Sequence, residues 1–188
     1  MNSDTATAPS GWRSGAIRGA DRLDLAIAWF CQAVVILVGT LLLALLAANV
    51  AARYVLESGG FRFAQELPER LFPVFIMAGV VLAVQRGGHM AVETVLSKLG
   101  RAGARNMLVF GHIIVIASYI VLSRDIFELA DMLWIDKSPV MGIPSSYGYL
   151  TLGGGLVLVI LATATQATRV ALLGPEAMPV PSPEELVS

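Results

Sequence analysis

Charge is scarce in this 188-residue chain: Asp, Glu, Lys and Arg make up 14% of it, against 56% hydrophobic residues. So low a charged fraction argues against an ordinary soluble domain, whose water-facing surface needs more polar side chains. A basic excess is absent too, since 13 Lys and Arg face 14 Asp and Glu for a net charge of −1. Without a basic face the chain has no electrostatic footprint for nucleic acid. The single cysteine, Cys31, cannot close an internal disulfide and stands in an apolar stretch, where it reads as a small buried apolar group. A reactive or palmitoylated thiol is the minor alternative. No glycine loop carries a phosphate-binding lysine, no Cys/His grouping has metal-ligand spacing, and no nucleophile, base and orienter stand together in the chain. The residues therefore give no reason to expect an enzyme.

What is abundant is apolar sequence in blocks. A helix rises about 1.5 Å per residue and a bilayer core is about 30 Å thick, so about 20 apolar residues cross it. The first block, residues 25–52, holds no charged side chain and is too long for a signal-peptide core, so it is expected to stay as an anchor behind a polar leader, residues 1–24. The second span, about 64–86, is clearest from Leu71 to Val84 and borrows its first turns from a charged stretch. The third covers about 106–134 and the fourth about 145–171, with Pro144, Ser145 and Ser146 as its start signal.

Between spans two and three, Val92, Val95, Leu96 and Leu99 fall at helical spacing opposite Glu93, Ser97 and Lys98. This predicts a short amphipathic helix over about 89–99, either an interfacial brace or a packed connector. The expected fold class is all-α, an integral membrane four-helix bundle with that cytoplasmic helix inserted.

Basic residues orient the bundle. Arg13, Arg18 and Arg22 precede span one, and Arg86, Lys98, Arg101 and Arg105 lie between spans two and three. The stretch before span four instead sets Asp125, Glu128, Asp131 and Asp136 against Arg124 and Lys137. The basic side belongs in the cytoplasm, which puts both termini there. Residues 174–188, with Pro175, Pro179, Pro181 and Pro183 among Glu176, Glu184 and Glu185, predict a disordered cytoplasmic tail.

Chemistry-bearing residues are few. Glu66, Glu69 and Arg70 stand at the outer end of span two, and the four-residue spacing of Glu66 and Arg70 predicts a structural pair. A proton or ion route would place such groups nearer the midplane. Pro68 and Pro73 predict a bend in the same helix, while Gly79 and the Gly153, Gly154, Gly155 run predict close helix approach. His89 and His112 read as an interfacial and a helix-packing residue. As a two-histidine haem site they would make the chain a membrane haem electron carrier. A further alternative is an autonomous four-helix carrier working as a homodimer, with Glu66 or Glu69 as its coupling group.

Several short motifs recur in a fixed order between the apolar blocks: Arg53-Tyr54-Val55 after span one, Glu66-Leu67-Pro68 entering span two, Gly79 within it, Arg86-Gly87-Gly88-His89 and Glu93 at its inner end, then Ser138 and Ile143-Pro144 before span four. In this the chain resembles, over most of residues 20–172, the small DctQ-type membrane subunit of tripartite ATP-independent periplasmic (TRAP) transporters. One departure is Glu69, which stands where that family usually has arginine, with Arg70 one place later.

The resemblance implies a scaffold in the bacterial inner membrane, embedded in lipid. Its partners would be a large multispan permease, which holds the substrate and sodium sites, and an extracytoplasmic solute-binding protein. Uptake would be driven by an ion gradient, the solutes would be small organic acids, and no cofactor would sit in this chain. Arg53, Glu66, Arg70, Gly79, Arg86, His89 and Glu93 then become candidates for folding or subunit contacts, with none catalytic, substrate-binding or metal-binding.

Overall fold

A computed structural model describes residues 11–55, 61, 63–86 and 100–177. They form α1 (Gly11–Val55), α2 (Phe63–Arg86), α3 (Arg101–Met132) and α4 (Ser146–Leu173), followed by a single 3-10 turn at Pro175–Ala177. All four helices are long and apolar enough to cross a membrane. Among the described residues the one extended pairing is an isolated antiparallel bridge between Lys137 and Pro144. The chain is thus an all-α, four-helix membrane bundle. The amphipathic segment expected at 89–99, with His89 and Glu93, and the tail beyond residue 177 lie outside the described residues.

Helix α1 is longer than its apolar block. It has 45 residues, about 68 Å at the usual rise, roughly twice the thickness of a hydrocarbon core. The extra length comes from the polar leader, which is helical from Gly11 onward. No proline interrupts residues 11–24, and Arg18 Nε donates to the Ser14 carbonyl one turn back, at 3.2 Å. Helix α2 runs through both Pro68 and Pro73 as one continuous helix. The 3-10 turn at Pro175–Ala177 continues ordered backbone a few residues past the expected end of the bundle, beyond Gly174, whose φ of +101° suits a residue without a side chain.

Helix α4 is the hub. It packs against α1, α2 and α3, most extensively against α3, while α1 and α2 pack on one another. Where α1, α2 and α4 meet, Ile27, Cys31, Ala78, Val81 and Val159 form a buried cluster, with Tyr119 of α3 against its edge. Cys31 is fully buried there.

Missing side chains make the closest approaches possible. A Cβ at Gly155 would lie 2.6 Å from Met77 Cε and 2.7 Å from Met77 Cβ, so α4 and α2 fit only because that atom is absent. At Gly153 a Cβ would lie 2.8 Å from the Phe127 ring of α3, and at Gly39 of α1 one would lie 3.0 Å from the Phe75 ring of α2. Gly79 does not act this way. A Cβ there, like one at Gly154, would meet nothing within 4 Å, so the approach expected at Gly79 is replaced by one at Gly39.

This packing predicts an asymmetry between adjacent glycines. Gly155→Ala should destabilise the purified chain by about 1–3 kcal/mol, the usual cost of overpacking, whereas Gly154→Ala should leave the thermal unfolding midpoint in mild detergent unchanged or slightly higher. Equal losses at both positions would contradict the fit between α2 and α4.

Candidate functional site

The charged residues at the start of α2 meet the connection between α3 and α4. After Met132 the chain turns and reverses through the Lys137–Pro144 bridge, with the Ser138 N–H on the Ile143 carbonyl at 3.0 Å and the Ser145 N–H on the Asp136 carbonyl at 2.8 Å. Gly142, at φ +66°, supplies the left-handed residue at the tip, and its N–H reaches the Ser138 carbonyl at 3.0 Å. That turn aims two backbone N–H groups at α2. The Glu66 carboxylate accepts from Val140 N–H at 2.9 Å, from Met141 N–H at 3.0 Å and from the Ser138 hydroxyl.

One turn further along α2, Arg70 donates to the carbonyls of Pro144 at 3.3 Å and Ile143 at 3.5 Å. Acid and base thus grip opposite polarities of the same loop. The two side chains form no ion pair within 4 Å; the ion pairs among the described residues join Arg101 to Glu176 and Arg169 to Asp21 and Asp24. The spacing that suggested a pair along α2 instead places both groups on the face turned toward the loop. Two serines fasten the start of α4. Ser145 Oγ donates to Asp136 Oδ2 at 2.9 Å, and Ser146 Oγ to the Ala130 carbonyl of α3 at 2.5 Å.

At the other end of the bundle lies a second polar junction, which the sequence reading did not single out. Asp24 of α1 receives Arg169 Nη2 of α4 at 2.6 Å on one carboxylate oxygen and the Thr165 hydroxyl at 2.6 Å on the other. Arg169 Nη2 also reaches Asp21 at 2.9 Å. Gln85 of α2 donates to the Asp24 backbone carbonyl at 3.0 Å. Gln166 of α4 donates to the carbonyls of Val84 at 2.6 Å and Gln85 at 3.2 Å, in the last described turn of α2. The Asp24 and Arg169 side chains are only 15% and 23% exposed, so the pair is largely withdrawn from solvent. Its signal in the sequence was a polar stripe in the fourth apolar block: Thr165 and Gln166 precede Arg169 by four and three residues and so share its face.

The remaining candidates stand apart. Arg53 and Arg86 are exposed in the last turns of α1 and α2, where a cation complements the helix dipole. Glu69 is exposed beside a groove lined by Leu42 and Leu46 of α1 and Phe72 of α2. His112 Nδ1 lies 2.7 Å from the Leu108 carbonyl one turn back, which makes that nitrogen the donor. Among the described residues no three His, Cys, Asp or Glu side chains gather as metal ligands.

Chemically, then, the two ends are fastenings, one closing the α3–α4 loop on α2 and the other binding α1, α2 and α4. Breaking the second by Asp24→Leu should leave Arg169 underpartnered and cost about 3 kcal/mol, while pairing that change with Arg169→Met should recover most of the loss. Chemical unfolding of the single and double variants in detergent measures the coupling; strictly additive losses would mean that the pair does not tie the helices.

A family model described as "Tripartite ATP-independent periplasmic transporters, DctQ component" matches residues 42–172. Among curated proteins the chain is similar to the uncharacterized protein y4mM of Sinorhizobium fredii, with 46% identity over 150 residues, 79% of this chain and 28% of that protein. It is also similar to a putative TRAP transporter small permease protein of Haemophilus influenzae, with 25% identity over 115 residues, 61% of this chain and 69% of that protein. The chain thus spans under a third of the length of y4mM. No solved structure matches it. With four membrane-length helices, and a family model that runs from within α1 to the end of α4, the chain belongs to the DctQ component family of tripartite ATP-independent periplasmic transporters.

Proposed function

We propose that this small TRAP subunit is a stationary scaffold for a large multispan permease, and that the permease, not this chain, binds the solute and the coupling ion. One observation carries the reading: the charged groups drawn into the bundle are spent on its own structure. Glu66 and Arg70 hold loop backbone at one end, and Arg169 holds Asp21 and Asp24 at the other. A substrate or ion site in a carrier places ionisable groups or interrupted helices near the midplane. Here the core where α1, α2 and α4 meet is apolar, built from residues such as Ile27, Val81 and Val159.

A carrier domain that moves across the bilayer needs a frame that does not, and a bundle fastened at both ends suits that task. In the full transporter a solute-binding protein outside the membrane would deliver the solute, of the small organic acid class, and a sodium gradient would drive uptake. The cytoplasmic side would be the end that carries Arg18, Arg22, Arg86, Arg101 and Arg105, with both termini there.

Tagging this chain in its native membrane and purifying in mild detergent should recover a stoichiometric multispan permease. Glu66→Ala and Arg169→Gln should reduce that recovery and the maximal uptake rate in proteoliposomes, with the KM for solute unchanged. Recovery of the chain alone as a transporting homo-oligomer, or a shifted KM with assembly intact, would overturn the scaffold reading.

A further inference from the structure

The start of α3 and the end of α4 border two adjoining open grooves. The outer one is bounded by Arg101 and Arg105 of α3 and by the Leu172–Pro175 stretch that closes α4. The inner one is bounded by Arg105 again, then by Val109, Phe110 and Ile113 of α3 with Ala171 of α4. Because Arg105 lines both, they form one trough with a basic mouth and an apolar body.

Arg101, Arg105, Val109 and Ile113 follow at four-residue intervals, so mouth and body share one stripe of α3 that runs about 18 Å along the helix. The apolar part is open to the surroundings, with Phe110 64% and Ile113 56% exposed.

Among the described residues the charge at the mouth is poorly compensated. Arg101 pairs there with Glu176, at 3.5 Å, in a contact whose side chains are 70% and 75% exposed and therefore contribute little. Arg105 makes no ion pair among the described residues. A guanidinium at a membrane interface is best satisfied by phosphate oxygens, which it meets with two parallel hydrogen bonds. Basic pockets between membrane helices on the cytoplasmic side take anionic headgroups.

We infer that this trough is a binding site for one anionic phospholipid, its phosphate on Arg101 and Arg105 and an acyl chain along Val109, Phe110 and Ile113. The two chemistries lie in the order a phospholipid presents them, headgroup at the end of the helix and hydrocarbon toward its middle. A protein segment would have no need of that order.

Native mass spectrometry of the assembled transporter, incubated with dioleoylphosphatidylglycerol or dioleoylphosphatidylcholine, tests it. The phosphatidylglycerol adduct should persist at higher collision energy. Arg101→Gln with Arg105→Gln should weaken it by about 25-fold, about fivefold per arginine, with phosphatidylcholine retention unchanged. Val109→Trp, which fills the trough and leaves both arginines in place, should reduce retention of phosphatidylglycerol. Millimolar inorganic phosphate should fail to displace the bound lipid, whereas displacement would identify a simple anion site and overturn the proposal.

Raising the salt concentration with the unsubstituted chain should release phosphatidylglycerol selectively, a readout that does not depend on any variant folding. Equal retention of the two lipids, or loss of the permease from the double variant with its lipid count unchanged, would also overturn it, the latter assigning the trough to the protein partner.

Discussion

A guanidinium near the end of a membrane helix needs carboxylates to meet it, and in this chain both come from another helix. Arg169 lies on α4 and its partners Asp21 and Asp24 on α1, with Gln85 and Gln166 completing the junction from α2 and α4. Little water competes for these bonds, so losing one partner strands the other at a cost well above that of a surface ion pair. Helix α1 is tied to α4 by the polar bonds of this junction. Most of its length faces outward, and its hydrophobic surface gains nothing by choosing α4 over lipid tails, which are equally apolar. Polar fastening therefore supplies the specificity that the hydrophobic effect cannot supply inside a bilayer.

The opposite end solves a different problem with the same means. A loop at the membrane surface has backbone amides and carbonyls with no helix to satisfy them, and α2 provides one side chain of each polarity: Glu66 for the amides of Val140 and Met141, Arg70 for the carbonyls of Ile143 and Pro144. Between the ends, α4 draws close to its neighbours where Gly153 and Gly155 lack side chains. Fastened above and below and notched between, the helices form one unit, which is what a frame requires.

The spans were legible because uninterrupted apolar sequence has few other uses, and the start of α4 at Ser146 follows the Pro144-Ser145 signal closely. Glu66 and Arg70 were legible as a structural couple, but periodicity reports only neighbours along one helix and could not show that their partners lie more than 70 residues away. Ser138, Ile143 and Pro144 were noted as separate points of family likeness; folding makes them the other half of the Glu66–Arg70 contact. The Asp24–Arg169 junction escaped because each member looks like ordinary interfacial charge until three helices are brought together. Gly79 and Gly39 differ only in which way they face, and composition does not record that.

The central claim is that this subunit holds its shape while its partner moves. Cysteine spin labels at the outward-facing positions Leu37 of α1 and Ile120 of α3, with the native Cys31 buried, would read the distance across the bundle by double electron–electron resonance. In the assembled transporter, a rigid frame predicts one narrow distribution that stays in place when solute and sodium are added or withdrawn. A second population, or a shift of more than a few ångströms on loading, would contradict it and make this subunit part of the moving machinery.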